Sequence, residues 1–135
     1  MTVRDADIVV SGGINTDDGI RIRNSATSIT GDTVNINVSG ASATEIRGVS
    51  LDVGTSTFAN LTTTMSGTNN RGVLVNAGTH RIRTSSISGQ IAILAPGGTI
   101  HVSNSNIDTG LALSAGSCAN VVRDDTNVVT NSACS

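Results

Sequence analysis

The fold is decided by two consecutive stretches of equal length. Residues 71–89 read RGVLVNAGTHRIRTSSISG, and residues 91–109 read IAILAPGGTIHVSNSNIDT. Twenty residues separate Val73 from Ile93, and the same spacing separates Ile82 from Val102 and Ile87 from Ile107. A repeat of about twenty residues that contains several short apolar runs indicates a solenoid.

The repeat extends in both directions with a changing period. Downstream, a shift of twenty residues aligns Leu113 with Ile93 and Val122 with Val102. Upstream the period lengthens to 24, which brings Arg47-Gly48-Val49 over Arg71-Gly72-Val73, and residues 19–22 look like the equivalent strand one coil earlier. We therefore expect five to six coils.

Apolar residues within each unit alternate with polar ones, as in Val34, Ile36 and Val38. This period of two predicts strands with one buried face, and the Gly, Ser, Asn and Asp between the runs suit tight corners. No stretch reads as a helix of any length. The sequence predicts an all-β fold, a right-handed parallel β-helix, with residues 1–135 forming a single domain.

Composition limits the functions that this chain can have. Thr, Ser, Asn and Gly make up nearly half of the 135 residues, the only aromatic residue is Phe58, and there is no Lys. The net charge of −2 without a basic run argues against a nucleic-acid partner. No apolar run is long enough to span a membrane, and the first residues lack the apolar core of a signal peptide.

Cys118 and Cys134 are the only cysteines, and they bracket a predicted C-terminal hairpin. We expect residues 118–135 to form a cap closed by a Cys118–Cys134 disulfide, although two separate thiols remain an alternative. A disulfide favours an oxidising compartment, so the expected location is extracellular or the cell surface. At the other end, Ile8-Val9-Val10 reads as a partial, uncapped coil.

On units such as Gly72-Val73-Leu74-Val75 followed by residues 81–89, the chain resembles right-handed parallel β-helix proteins of the pectate-lyase-like superfamily. The resemblance covers residues 8 to 116 and implies a secreted or surface protein. A narrower similarity to polygalacturonases rests on Asn15-Thr16-Asp17, Gly31-Asp32, Gly48 and Arg81-Ile82-Arg83. Thr33 stands where that family has a second Asp, Arg47 where it has His, and Arg83 where it has Lys.

Inverting glycoside hydrolysis needs two carboxylates, so the loss of one predicts that the chain is not an enzyme. The sequence indicates no cofactor and no metal site. The expected function is that of a structural building block that assembles with itself end to end into a filament or sheath. The alternative is a carbohydrate-active or carbohydrate-binding β-helix, either degenerate or part of a longer pectinase-like enzyme, phage spike or adhesin. In that case Arg21, Arg23, Arg81 and Arg83 would bind an anionic polysaccharide if the two pairs share one side.

Overall fold

A computed structural model of the chain describes residues 1–13, 15–40 and 43–123, and the backbone of residues 128–130. These residues form β-strands and no helix. The strands are β1 (Thr2–Ser11), β2 (Thr16–Ile22), β3 (Ser28–Ser39), β4 (Glu45–Leu51), β5 (Thr55–Ser66), β6 (Asn70–Val75), β7 (Thr79–Arg83), β8 (Ser86–Ile87), β9 (Ile91–Ala95), β10 (Thr99–Ser103), β11 (Asn106–Ile107), β12 (Leu111–Leu113), β13 (Gly116–Ala119), β14 (Val121–Arg123) and β15 (Val128–Thr130).

The strands form two sheets whose neighbours belong to successive coils. Sheet 2 has the order β12-β9-β6-β4-β2. Sheet 1 runs β1-β3-β5 and then divides, because β5 pairs with β7 along its first half and with β8 along its second half. Every pairing between coils is parallel, so the expected all-β solenoid of stacked parallel strands is confirmed.

The coils become shorter along the chain. Ile20 pairs with Val49, Val49 with Val73 and Val73 with Ile93, which are steps of 29, 24 and 20 residues. The last step in sheet 1, from Ile100 to Gly116, is only 16 residues. The solenoid therefore tapers from a wide end at β1 and β2 to a narrow end at β12 and β13. It has about four turns, slightly fewer than the five to six expected.

The predicted register is right in the middle of the chain and wrong in its last coil. Ile82 pairs with Val102, and Ile87 pairs with Ile107, as the twenty-residue shift requires. Beyond these strands, Ile93 pairs with Leu111 instead of Leu113, and Val102 pairs with Cys118 instead of Val122. The cause is the loss of two residues at each of two corners. Four residues lead from Ile107 to Leu111 where six lead from Ile87 to Ile93, and three lead from Leu113 to Gly116 where five lead from Ala95 to Ile100.

Aliphatic side chains fill the interior in columns that follow the strand pairing. Ile22, Leu51 and Val75 form one buried column, and Val49, Val73 and Ile93 form another. The aromatic ring of Phe58 is fully buried and sits over Gly31, where an added Cβ would lie 2.4 Å from its Cδ1 atom. Glycine at this position is what makes room for the ring.

One corner of sheet 1 is built from residues with a left-handed backbone. Asp5, Thr33, Asn60, Thr84, Asn104 and Asn120 have φ between 47° and 53° and stack on one another in successive coils, and we call them the left-handed corner. Asn60 donates from Nδ2 to Asp32 Oδ1 at 2.9 Å, and Asn120 donates from Nδ2 to Asn104 Oδ1 at 3.1 Å. The corner bends each coil and shifts its alternation by one residue, so that Phe58 and Leu61 both point inward.

The predicted C-terminal hairpin is present in backbone. Val121–Arg123 pairs antiparallel with Val128–Thr130, and β15 thereby occupies the next position in sheet 1 beside β14. We had expected the hairpin to fold across the end of the last coil as a cap. It extends sheet 1 instead. Cys118 is buried on β13. Cys134 lies outside the described residues, so the disulfide stays a prediction.

Candidate functional sites

The four arginines expected to bind an anion do not form one site. Arg21 lies on β2 in sheet 2, whereas Arg81 and Arg83 lie on β7 in sheet 1. Arg23 is exposed just after the end of β2. The two pairs therefore lie on different sheets, and the condition that they share one side is not met.

Sheet 2 carries a ladder of ion pairs that uses its arginines internally. Arg21 contacts Asp52 at 2.8 Å and Asp18 at 3.3 Å, and Arg47 contacts Asp18 at 3.5 Å. Arg47 also pairs with Glu45, which in turn pairs with Arg71 on the next coil. The Arg21 guanidinium and the Asn76 amide, through hydrogen bonds to the Asp52 carboxylate, lower its pKa and outweigh the opposing effect of desolvation. These cations are neutralised within the protein and join successive coils.

Sheet 1 carries a different basic feature. Arg81 and Arg83 are exposed, and neither has an ion-pair partner among the described residues. His101 pairs with Arg81 across the strands and contacts Ser117 Oγ through Nδ1 at 2.7 Å. This arrangement presents two guanidinium groups and an imidazole ring on one surface.

The residues of the polygalacturonase-like pattern do not come together. Asp17 is nearly buried on β2 and accepts a hydrogen bond from the Gly13 amide at 3.2 Å. Asp32 lies on β3 in the other sheet and accepts from Asn60. Asp17 and Asp32 therefore lie on different sheets with separate partners, and they do not form the facing pair of carboxylates that inverting hydrolysis uses.

The interior contains a serine–histidine contact that the sequence analysis missed. Nδ1 of His80 lies 2.9 Å from Ser56 Oγ, and its Nε2 lies 2.9 Å from the Ala77 carbonyl oxygen. Since a carbonyl can only accept, Nε2 carries the proton and Nδ1 accepts from the Ser56 hydroxyl. His80 is fully buried, so no substrate can reach this pair; burial lowers the pKa of His80, and the hydrogen bond to Ala77 opposes this only in part.

The described residues contain no group of three or more His, Cys, Asp or Glu side chains placed to hold a metal ion. No helix in the described part of the chain is long and apolar enough to cross a membrane.

The shortening of the coils leaves an open cavity on sheet 1. Beyond Thr63, β5 continues to Ser66 without a partner from the next coil, because β8 ends at Ile87. The unpaired end of β5 forms a ledge, and the open cavity beside it has a volume of about 630 Å³. The polar residues that line the cavity include Thr64, Asn70 and Asp108. Nothing in the sequence repeat points to this cavity, because it arises from the difference in length between two coils.

The wide end of the solenoid is the most unusual surface. Among the described residues β1 pairs with β3 alone, so its other edge is open along ten residues. Val9 on this strand is 73% exposed, and the interior side chains Val3, Ile8 and Val10 are only partly buried. Outward-pointing backbone groups and incompletely covered apolar side chains are what a further strand would bind.

Comparisons with protein-family models, with curated proteins and with solved structures found no match for this chain.

Proposed function

We propose that this protein is a non-enzymatic structural β-solenoid that assembles with itself end to end. The observation that carries the proposal is the open edge of β1. A long unpaired strand edge is a template for pairing with another chain, and many proteins cover such edges with a helix or a loop. Within the described residues the wide end lacks a cover, and Val9 is exposed beside it.

The expected filament or sheath would be the product if both ends of the solenoid took part. An extracellular or surface location belongs to the same proposal, and it is supported by the predicted Cys118–Cys134 bridge and by the absence of Lys. Membership of the pectate-lyase-like superfamily is also part of the proposal, with stacked parallel strands as its support.

The test measures the mass of the protein in solution by light scattering over a wide range of concentrations, with negative-stain microscopy of the most concentrated sample. We expect oligomers whose share rises with concentration. Val9→Asp should abolish them and leave the β-rich circular dichroism spectrum unchanged, because it places a charge at the contact. Thr57→Asp, the same kind of change in the middle of sheet 1, serves as the matched control. A protein that is monomeric at every concentration would overturn the proposal.

A second candidate function, binding of an anionic polysaccharide, is favoured by Arg81 and Arg83, which lack carboxylate partners among the described residues. Arg81→Gln with Arg83→Gln should reduce retention on immobilised polygalacturonate, whereas Arg21→Gln, at a cation already neutralised by Asp18 and Asp52, should not. Equal retention of all three proteins would remove this candidate. Reducing-sugar release that disappears in Asp32→Asn would instead establish an enzyme.

A further inference from the structure

Two hydrogen bonds to β3 show which backbone groups of β1 face β3 and which face the open edge. The Met1 carbonyl accepts from the Thr30 amide at 3.0 Å, and the Gly12 amide donates to the Ser39 carbonyl at 3.3 Å. Backbone groups point alternately to the two sides of a strand. Ahead of the left-handed Asp5, the backbone groups of Val3 therefore face β3 like those of Met1, and after Asp5 those of Ile8 and Val10 face β3 like those of Gly12. The groups of Thr2, Arg4, Asp7 and Val9 therefore point toward the open edge.

The two ends of the solenoid do not fit each other. The first coils advance by 27 to 29 residues per turn, and the last one by 16 to 18. At the narrow end the antiparallel strand β15 already occupies the position beside β14. A wide end stacked on a narrow end would leave most of β1 without a partner.

We propose that two copies join wide end to wide end, with β1 of one copy antiparallel to β1 of the other and Arg4 opposite Asp7. This inference rests on the proposed self-assembly and specifies its geometry. In this register Thr2 lies opposite Val9, so the residues whose backbone groups face the open edge meet one another on both sides of the bend. Such matched residues form the hydrogen-bonded pairs of an antiparallel ladder.

The side chains are self-complementary in the same register. A two-fold axis makes every contact occur twice, so two Arg4–Asp7 pairs of opposite charge form. Arg4 has no ion-pair partner among the described residues, and Asp7 accepts one hydrogen bond, from Asn35 Nδ2 at 2.8 Å. On the inner side Val3 lies opposite Ile8, which covers two side chains that are only partly buried in the single chain.

The bend of the strand fits the same axis. Asp5 lies opposite Ala6 in this register, so the left-handed corners of the two copies are offset by a single residue. A shift of one residue would place Asp5 opposite Asp5 and Arg4 opposite Ala6, which separates Arg4 from Asp7. The backbone groups of Ala6 face β3 like those of Ile8, so Arg4 and Ala6 could not form a hydrogen-bonded pair across the open edge. A contact that uses the same patch on both copies is closed, so the assembly stops at two chains.

A charge exchange tests this register. Arg4→Asp and Asp7→Arg, each alone, place like charges opposite each other and should reduce the mass measured by light scattering to that of one chain. The double variant Arg4→Asp/Asp7→Arg restores opposite charges and should recover the dimer. Arg81→Asp, an equal change of charge on sheet 1 away from the wide end, should leave the dimer intact.

The outcomes separate this inference from the proposed function. Monomers in the parent protein overturn both. Oligomers that grow beyond two chains, or dimers that persist in both single variants, keep self-assembly and overturn the two-fold register. Loss of the dimer in the single variants without recovery in the double variant also overturns it, provided that circular dichroism shows all variants folded.

Discussion

The left-handed corner shows how single residues determine the course of each coil. Asn and Asp tolerate a positive φ because their short polar side chains bond locally, whereas a β-branched residue is strained there. Asn60, Asn104 and Asn120 satisfy this preference, but Thr33 and Thr84 do not. We therefore expect Thr33 and Thr84 to lower the free energy of unfolding relative to Asn at the same two positions.

We expect Thr84→Asn to stabilise the protein by about 1 kcal/mol, since it relieves a β-branched residue at φ 53°. The measurement is the midpoint of urea denaturation. Thr79→Asn, at the first residue of β7, is the matched control and should not stabilise. Equal effects at both positions would contradict the assignment of strain to the corner.

His80 makes the stability of the protein depend on pH. Burial lowers the pKa of His80 below 6.5 in the folded state, while the unfolded chain takes up its proton near pH 6.5. The unfolded state therefore binds more protons in the range below about pH 6.5, and the free energy of unfolding decreases as the pH falls through it, by at most about 1.4 kcal/mol per pH unit.

Urea denaturation at pH 7.5 and pH 5 measures this loss. His80→Gln, which keeps one donor and one acceptor, should remove most of the difference, and His101→Gln should keep it because His101 lies on the outer face of sheet 1. A difference that survives in His80→Gln would point to other groups.

In sheet 2, β9 is the last strand whose register with the preceding coil could be predicted. Ile93 is fully buried between Val73 and Leu111. Ile93→Ala should reduce the free energy of unfolding by about 2–4 kcal/mol because of the cavity it leaves. Leu94→Ala, on the opposite face of the same strand, should cost clearly less. A larger loss in Leu94→Ala than in Ile93→Ala would mean that the inward and outward faces have been exchanged.

The predicted Cys118–Cys134 disulfide would tie the terminal hairpin to β13. If Cys118 and Cys134 are joined, the unreduced protein should be lighter by two hydrogen atoms in mass spectrometry, and reduction should lower stability by roughly 3 kcal/mol. Cys118→Ser should be as stable as the reduced parent. Two titratable thiols per chain in the native protein would rule the bridge out, together with its support for an extracellular location.

The sequence was informative where coils have equal length. Identical spacing in residues 71–89 and 91–109 aligned Ile82 with Val102 without further information. The last coil was misaligned because two of its corners are shorter. A fixed period of twenty residues cannot account for residues lost at a corner. Leu111 and Leu113 are both apolar, so composition could not distinguish them. The inward position of His80 could have been predicted from its alternation with Ile82, which the twenty-residue shift places over Val102. The ledge could not be predicted, because it depends on the unequal length of two coils.

At the scale of the whole molecule, the two sheets differ in how they use charge. Sheet 2 pairs its arginines with carboxylates of the same chain, whereas Arg81 and Arg83 on sheet 1 have no carboxylate partner among the described residues. Contacts with other molecules are accordingly expected at sheet 1 and at the wide end. The sequence could not decide whether the four arginines share one side, because alternation reveals which residues point outward but not which sheet they belong to.

The unequal coil lengths also bear on how the chain reaches its native state. In a solenoid of identical repeats, a strand that docks one coil too early still finds matching corners, and the error costs little. Here β8 placed on β3 would put the six residues from Ile87 to Ile93 beside the thirteen from Ile36 to Val49. In the native position the same six residues lie beside only the ten from Thr63 to Val73. Strands that dock on the wrong coil are therefore destabilised by the mismatch in coil length. Duplication or deletion of one coil during evolution would create the same mismatch between neighbouring coils.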